Sequence, residues 1–79
     1  MTATTELVLR LLVELAPEID PATIDVDREL LEQVDLDSMD FLNLMESVAA
    51  ETGVEVPERD YPLVASIAAL AAYTDTHRG

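Results

Sequence analysis

Cysteine is missing from this chain altogether, which excludes disulfides and thiolate metal sites. Lysine is missing as well. Its absence removes Schiff-base chemistry and any lysine-linked cofactor such as biotin or lipoate. With only two glycines there is no glycine-rich phosphate loop, and no serine sits in a G-x-S-x-G elbow. The one histidine, His77, lies beside the C-terminus, where chains are usually mobile, and reads as inert rather than as a general base. A carboxylate pair remains as acid–base equipment, but a domain this small has little room for the concave pocket an enzyme needs. The expectation is therefore a protein that is not an enzyme. No apolar run approaches a membrane span, and no basic segment with an apolar stretch behind it opens the chain. These absences predict a soluble, cytoplasmic protein with no membrane insertion.

What is present is acid and periodic hydrophobicity. Seventeen acids face four arginines (Arg10, Arg28, Arg59 and Arg78), for a formal charge of −13 over 79 residues. Such a surface repels nucleic acid and steers the chain towards basic patches on partners. Apolar residues make up 49% and fall in regular blocks, which favours a folded domain over an acidic disordered chain. The length fits one domain across residues 1–79 with a thin core.

Leu7, Val8, Leu11, Leu12 and Leu15 recur at the steps of one helix face, and Pro17 stops that helix. The spacing predicts a first helix over about 4–16, capped by Thr4 or Thr5, with Glu6, Arg10 and Glu14 paired on its outer face. Residues 17–36 form a long acidic connection pinned to the core by scattered apolar residues, with one helical turn near Asp27–Leu31. A loop of this length in a compact domain is more often functional than passive. From its end onward, Asp35, Asp37 and Glu46 match three positions of a calcium-binding EF-hand loop, but Asp40 stands where that loop requires glycine. No specific metal site is expected.

A second helix runs over about 38–52, with Met39, Leu42, Met45 and Val48/Ala49 spaced along one face and Gly53 as its natural stop. Phe41 and Leu44 extend its apolar surface past half the circumference. A short third helix over about 57–62 begins at Pro57, and a fourth spans about 64–76, with Ser66 as a possible internal start. Residues 74–79 read as a polar tail. The predicted fold is all-α: a small four-helix bundle of three longer helices and a short one, with a long first loop.

The start of the second helix holds the candidate chemistry. Asp37 and Ser38 are both good N-caps. If Ser38 caps, its hydroxyl is occupied. If Asp37 caps, Asp40 falls at the third helical position, Ser38 becomes the first helical residue, and its hydroxyl points outward at a helix end that favours phosphate.

The segment Leu36-Asp37-Ser38-Met39-Asp40 resembles the signature of acyl carrier proteins, Asp-Ser-Leu at the start of the second helix, with methionine replacing leucine. The resemblance extends over nearly the whole chain. It takes in the leucine-rich first helix, the long acidic loop, and Thr52-Gly53-Val54-Glu55-Val56-Pro57 before the short helix. It implies a free-standing carrier of the polyketide or fatty-acid type, modified at Ser38 by 4′-phosphopantetheine. A phosphopantetheinyl transferase would install that group from coenzyme A with magnesium, and the thiol it brings would hold acyl groups as thioesters. It further implies that Asp37, Met39, Asp40 and Glu46 meet basic grooves on acyl-loading, ketosynthase-type and acyl-transfer enzymes. Such carriers often shelter acyl chains between the second and third helices. Leu44, Met45, Val56 and Tyr61 are candidates to line such a space, although core packing accounts for them equally well. Asn43, Ala49 and Ala50 depart from the acids usual in bacterial fatty-acid carriers, which points towards a specialised pathway. An aminoacyl or peptidyl carrier is the near alternative, disfavoured because no glycine precedes Asp37. An unmodified acidic helical adaptor for a basic partner is the alternative of a different class.

Overall fold

The computed structural model describes residues 2–78. Helix α1 spans Ala3–Leu15, with Thr2 as its cap: the Thr2 hydroxyl accepts from the Thr5 amide at 3.1 Å. This differs from the expected cap at Thr4 or Thr5. Both of those are buried within the first turn, and Thr4 hydrogen-bonds Asp75 at the far end of the chain. A tertiary contact thus claims Thr4, and Thr5 bonds back to the Thr2 cap. The sequence reads residues 1–5 as small, polar and frayed; Met1 lies outside the described residues, and Ala3, Thr4 and Thr5 are helical. The helix ends before Pro17, with the Ala16 amide donating to the Leu12 carbonyl. On its outer face Arg10 reaches Glu14 at 3.5 Å and Glu51 at 3.9 Å, exposed pairs that contribute little stability.

The long connection is ordered by its own short-range bonds. Asp20 caps a 3-10 turn at Pro21–Thr23, and the Gln33 side chain bonds both the amide and the carbonyl of Asp25. Helix α2 is one turn, Leu30–Gln33, three residues later than the turn expected from Asp27. Its position is set from a distance. The Leu30 amide donates to the Ala65 carbonyl at 2.8 Å, and the Ala68 amide donates to the Val26 carbonyl at 2.8 Å. The loop is therefore stitched to the start of the last helix, with Leu30 buried as its anchor.

Helix α3, Ser38–Thr52, ends at Gly53, whose φ of 76° is the left-handed conformation that only glycine adopts without strain. A 3-10 helix covers Glu58–Val64, and α4 runs Ile67–His77 behind the Ser66 cap. The fourth helix thus starts at the internal serine rather than at residue 64. It runs to His77, close to the expected end, and the polar residues from Thr74 belong to it: Thr74 is fully buried and donates to the Leu70 carbonyl at 2.8 Å.

The protein is an all-α bundle in which α1 packs on α3 and α4, and the 3-10 helix lies against α4. Val8 and Leu12 of α1, Leu44 and Val48 of α3, and Ile67 and Leu70 of α4 meet in one core. Each buries an aliphatic side chain for about 1.5–3 kcal/mol, a part of the apolar burial that opposes the ordering entropy of the chain. No helix among the described residues is long and apolar enough to cross a membrane.

Candidate functional site

The backbone of Asp37 is extended (φ −99°, ψ −177°), so helical geometry begins one residue later, at Ser38. The Asp37 carboxylate accepts from the Asp40 amide at 3.0 Å, and the Asp40 carboxylate accepts from the Asp37 amide at 3.3 Å. This reciprocal capping box holds two negative charges at the positive end of a fifteen-residue helix, where the dipole favours them. Of the two caps left open by the sequence, the structure uses Asp37.

Ser38 is left at the first helical position. It is exposed, and its hydroxyl takes part in no hydrogen bond among the described residues. The chain has two other serines. Ser66 is engaged with the Ala69 amide, and Ser47 is half-buried midway along α3. Ser38 is therefore the serine that combines exposure with a spare hydroxyl. Among the described residues the Ser38 and Met39 amides have no acceptor, so two N–H donors and the helix dipole remain available to an oxyanion attached there. These residues fit a phosphodiester at Ser38 Oγ.

Beside Ser38 lies an open groove of about 570 Å³. Leu31, Met39, Phe41, Leu42, Tyr61 and Pro62 give it an apolar lining, with Glu29 and Glu58 at its polar positions. Tyr61 packs edge-on against Phe41 with ring centroids 5.4 Å apart. This lining departs from the expected one. Leu44, Met45 and Val56 are buried in the core, so only Tyr61 of the four candidates reaches the groove. Helix α3 is turned so that Phe41, Leu44, Met45 and Val48 are buried in the core, while Met39 is 62% and Leu42 36% exposed. A helix apolar over most of its surface does not announce its inward stripe; the neighbouring helices select it.

The groove's outer wall, the 3-10 helix, is braced from α4. The Tyr73 hydroxyl donates to Asp60 at 2.7 Å, and the His77 ring stacks on Tyr73 with centroids 4.0 Å apart. The bond to Asp60 raises the Tyr73 pKa above the ordinary tyrosine value, with desolvation and the Asp60 charge adding to it and nearby Arg59 opposing it. His77, read from the sequence as an inert tail residue, is thus a packing element of the last turn. Its Nδ1 bonds the Tyr73 carbonyl at 2.8 Å.

Asp37, Ser38, Met39 and Asp40 lie together at the start of α3, whereas Glu46 is exposed two turns further on and outside the groove. Glu29 and Glu58 were not singled out by sequence reasoning. They lie far apart in the chain, and each reads locally as one more solvated acid.

A family model described as a phosphopantetheine attachment site matches residues 6–74, nearly the whole chain. The acyl carrier protein AcpXL of Rhizobium etli is 35% identical over 57 residues, which cover 72% of this chain and 61% of that protein. The chain thus aligns with less than two thirds of its curated relative's length. No solved structure matches it.

Proposed function

The chain belongs to the acyl carrier protein family of phosphopantetheine-bearing domains, and from that premise we propose that it carries acyl intermediates on a 4′-phosphopantetheine arm esterified to Ser38. The observation that carries the assignment to Ser38 is the capping box. Because Asp37 and Asp40 satisfy the helix start, the exposed serine hydroxyl has no structural duty.

Loading is a phosphoryl transfer. Ser38 Oγ bonds to the phosphorus bearing the pantetheine, the pyrophosphate bond of coenzyme A breaks, and adenosine 3′,5′-bisphosphate leaves. The hydroxyl proton would pass to the transferase, and magnesium held by that enzyme would neutralise charge on the phosphates. The product is a phosphodiester beside the free Ser38 and Met39 amides, where the helix dipole stabilises its charge. The group supplies a thiol that a chain without cysteine lacks, so acyl cargo is held as a thioester. The family carries rather than catalyses, and the site fits that role: Ser38 has only carboxylates for charged neighbours and needs an enzyme to activate it.

Asp37, Met39, Asp40 and Glu46 form the surface proposed to meet the transferase and the acyl-loading, ketosynthase-type and acyl-transfer partners. Exposed Met39 supplies an apolar contact inside an acidic frame. Asn43, Ala49 and Ala50 leave the second half of α3 poorer in charge, which supports a partner set from polyketide or other specialised biosynthesis over bulk fatty-acid synthesis. We read the protein as a cytoplasmic monomer, since copies bearing this net charge repel one another.

The test is incubation with coenzyme A, magnesium and a broad-specificity phosphopantetheinyl transferase, followed by intact-mass measurement. Wild type gains one phosphopantetheinyl group. Ser38→Ala gains none while keeping its helical circular dichroism. An unmodified wild type beside a reacting control carrier overturns the proposal and leaves the acidic adaptor.

A further inference from the structure

Ser38 borders a groove whose walls are hydrocarbon and aromatic and whose charged lining residues are both acidic, Glu29 and Glu58. Neither nearby arginine relieves that sign. Arg28 lines a separate polar hollow with Glu18 and Glu32, and Arg59, whose charge acts on Tyr73, is not among the residues that line the groove. Lysine is absent from the chain, and of the other two arginines Arg10 is paired on the outer face of α1 while Arg78 follows the end of α4. Any group entering the groove therefore meets apolar surface together with two negative charges and no cation. An uncharged hydrocarbon gains burial there, whereas a terminal carboxylate loses hydration and gains repulsion.

Building on the reading that Ser38 carries the cargo, we infer that Glu29 and Glu58 are specificity-determining residues: the groove seats acyl groups with an uncharged free end and rejects those ending in a carboxylate. Two like-charge repulsions in a water-exposed site, each worth about threefold at a separation of several ångströms, combine to about tenfold discrimination at low salt. Molar salt shortens the screening length to about 3 Å and brings the two cargoes towards parity. Glu29 and Glu58 are both exposed, so replacing them with glutamine changes charge at little cost to the fold.

The experiment loads holo-protein with three cargoes: a medium-length saturated acyl group, the matching dicarboxylic half-thioester, and the methyl ester of that half-thioester. The ester matches the diacid in length but carries no charge. NMR of the Leu31 and Leu42 methyls and the Tyr61 ring reads seating, and the rate of thioester cleavage by hydroxylamine reads protection. The saturated and ester cargoes shift those signals and slow cleavage, and the carboxylate leaves both near the values of solvent-exposed cargo. In the Glu29→Gln/Glu58→Gln double variant the carboxylate gains about tenfold in seating. Equal seating of carboxylate and ester in wild type, unchanged discrimination in the double variant, or groove signals that respond to none of the three cargoes overturns the inference. Failure of the carrier reading itself is distinguishable, because it appears earlier as the absence of a mass gain on loading.

Discussion

Replacing Asp37 by alanine separates the two duties that adjacent residues at a helix start can hold. The substitution removes the carboxylate that accepts from the Asp40 amide and leaves the Asp40 side chain with half a capping box. Loss of an N-cap costs about 0.5–2 kcal/mol, and loss of a negative charge at an exposed helix N-terminus costs a further 0.3–1 kcal/mol. Part of this is returned, because one charge fewer relieves repulsion in a chain of net charge −13, so the measurement belongs at about 0.15 M salt, where distant charges are screened. The net loss is about 1–2 kcal/mol. In a domain of this size that lowers Tm by roughly 4–16 °C. Asp37→Asn keeps the accepting oxygen and loses only the charge, so its cost is about 0.3–1 kcal/mol. Ser38→Ala removes a hydroxyl with no partner and stays within about 0.5 kcal/mol of wild type. Thermal and urea unfolding followed by circular dichroism reads all three. If Ser38→Ala costs as much as Asp37→Ala, the serine is the cap, its hydroxyl is not spare, and the structural case for attachment there fails.

Other perturbations follow from single features of the fold. Gly53→Ala costs about 1–2 kcal/mol by urea unfolding; space for the added Cβ is open, so the cost comes from the left-handed backbone alone. Leu12→Ala, at the fully buried centre of α1, costs about 2–5 kcal/mol, while Leu63→Ala at a side chain 64% exposed changes unfolding by less than about 0.5 kcal/mol. Tyr73 titrates above the ordinary tyrosine value of about 10 because its proton is held by Asp60. A raised folded-state pKa contributes stability that is present below the ordinary value and lost as pH climbs through the raised one. Ultraviolet titration of Tyr61→Phe, which leaves Tyr73 as the only tyrosine, shows the raised value, and adding Asp60→Asn returns it towards ordinary.

The elements legible in the sequence are those with local punctuation. Pro17 and Gly53 mark helix ends that the structure places at Leu15 and Thr52, and Ser66 announces the start of α4. What was not legible depends on partners distant in the chain. The turn of α2 shifts to Leu30 because the Leu30 amide bonds Ala65, a pairing with no local signature. Thr4 looks like a cap until Asp75 is brought to it. Of the α3 stripe read as Met39, Leu42, Met45 and Val48, the structure buries Met45 and Val48 but exposes Met39 and Leu42, and Phe41 and Leu44, equally apolar in the sequence, turn inward instead. That rotation moved the groove lining outward, from Leu44 and Met45 to Met39 and Leu42. At Asp37-Ser38 residue preference alone was undecided between two good caps, and the extended backbone of Asp37 decided it.

The most direct test of the central claim is to fragment the transferase-treated protein and locate the added group among Ser38, Ser47 and Ser66. One phosphopantetheinyl group is expected, on the peptide containing Ser38 and on that residue. A group found on Ser47 or Ser66, or no group on any of them while a control carrier is loaded, contradicts it.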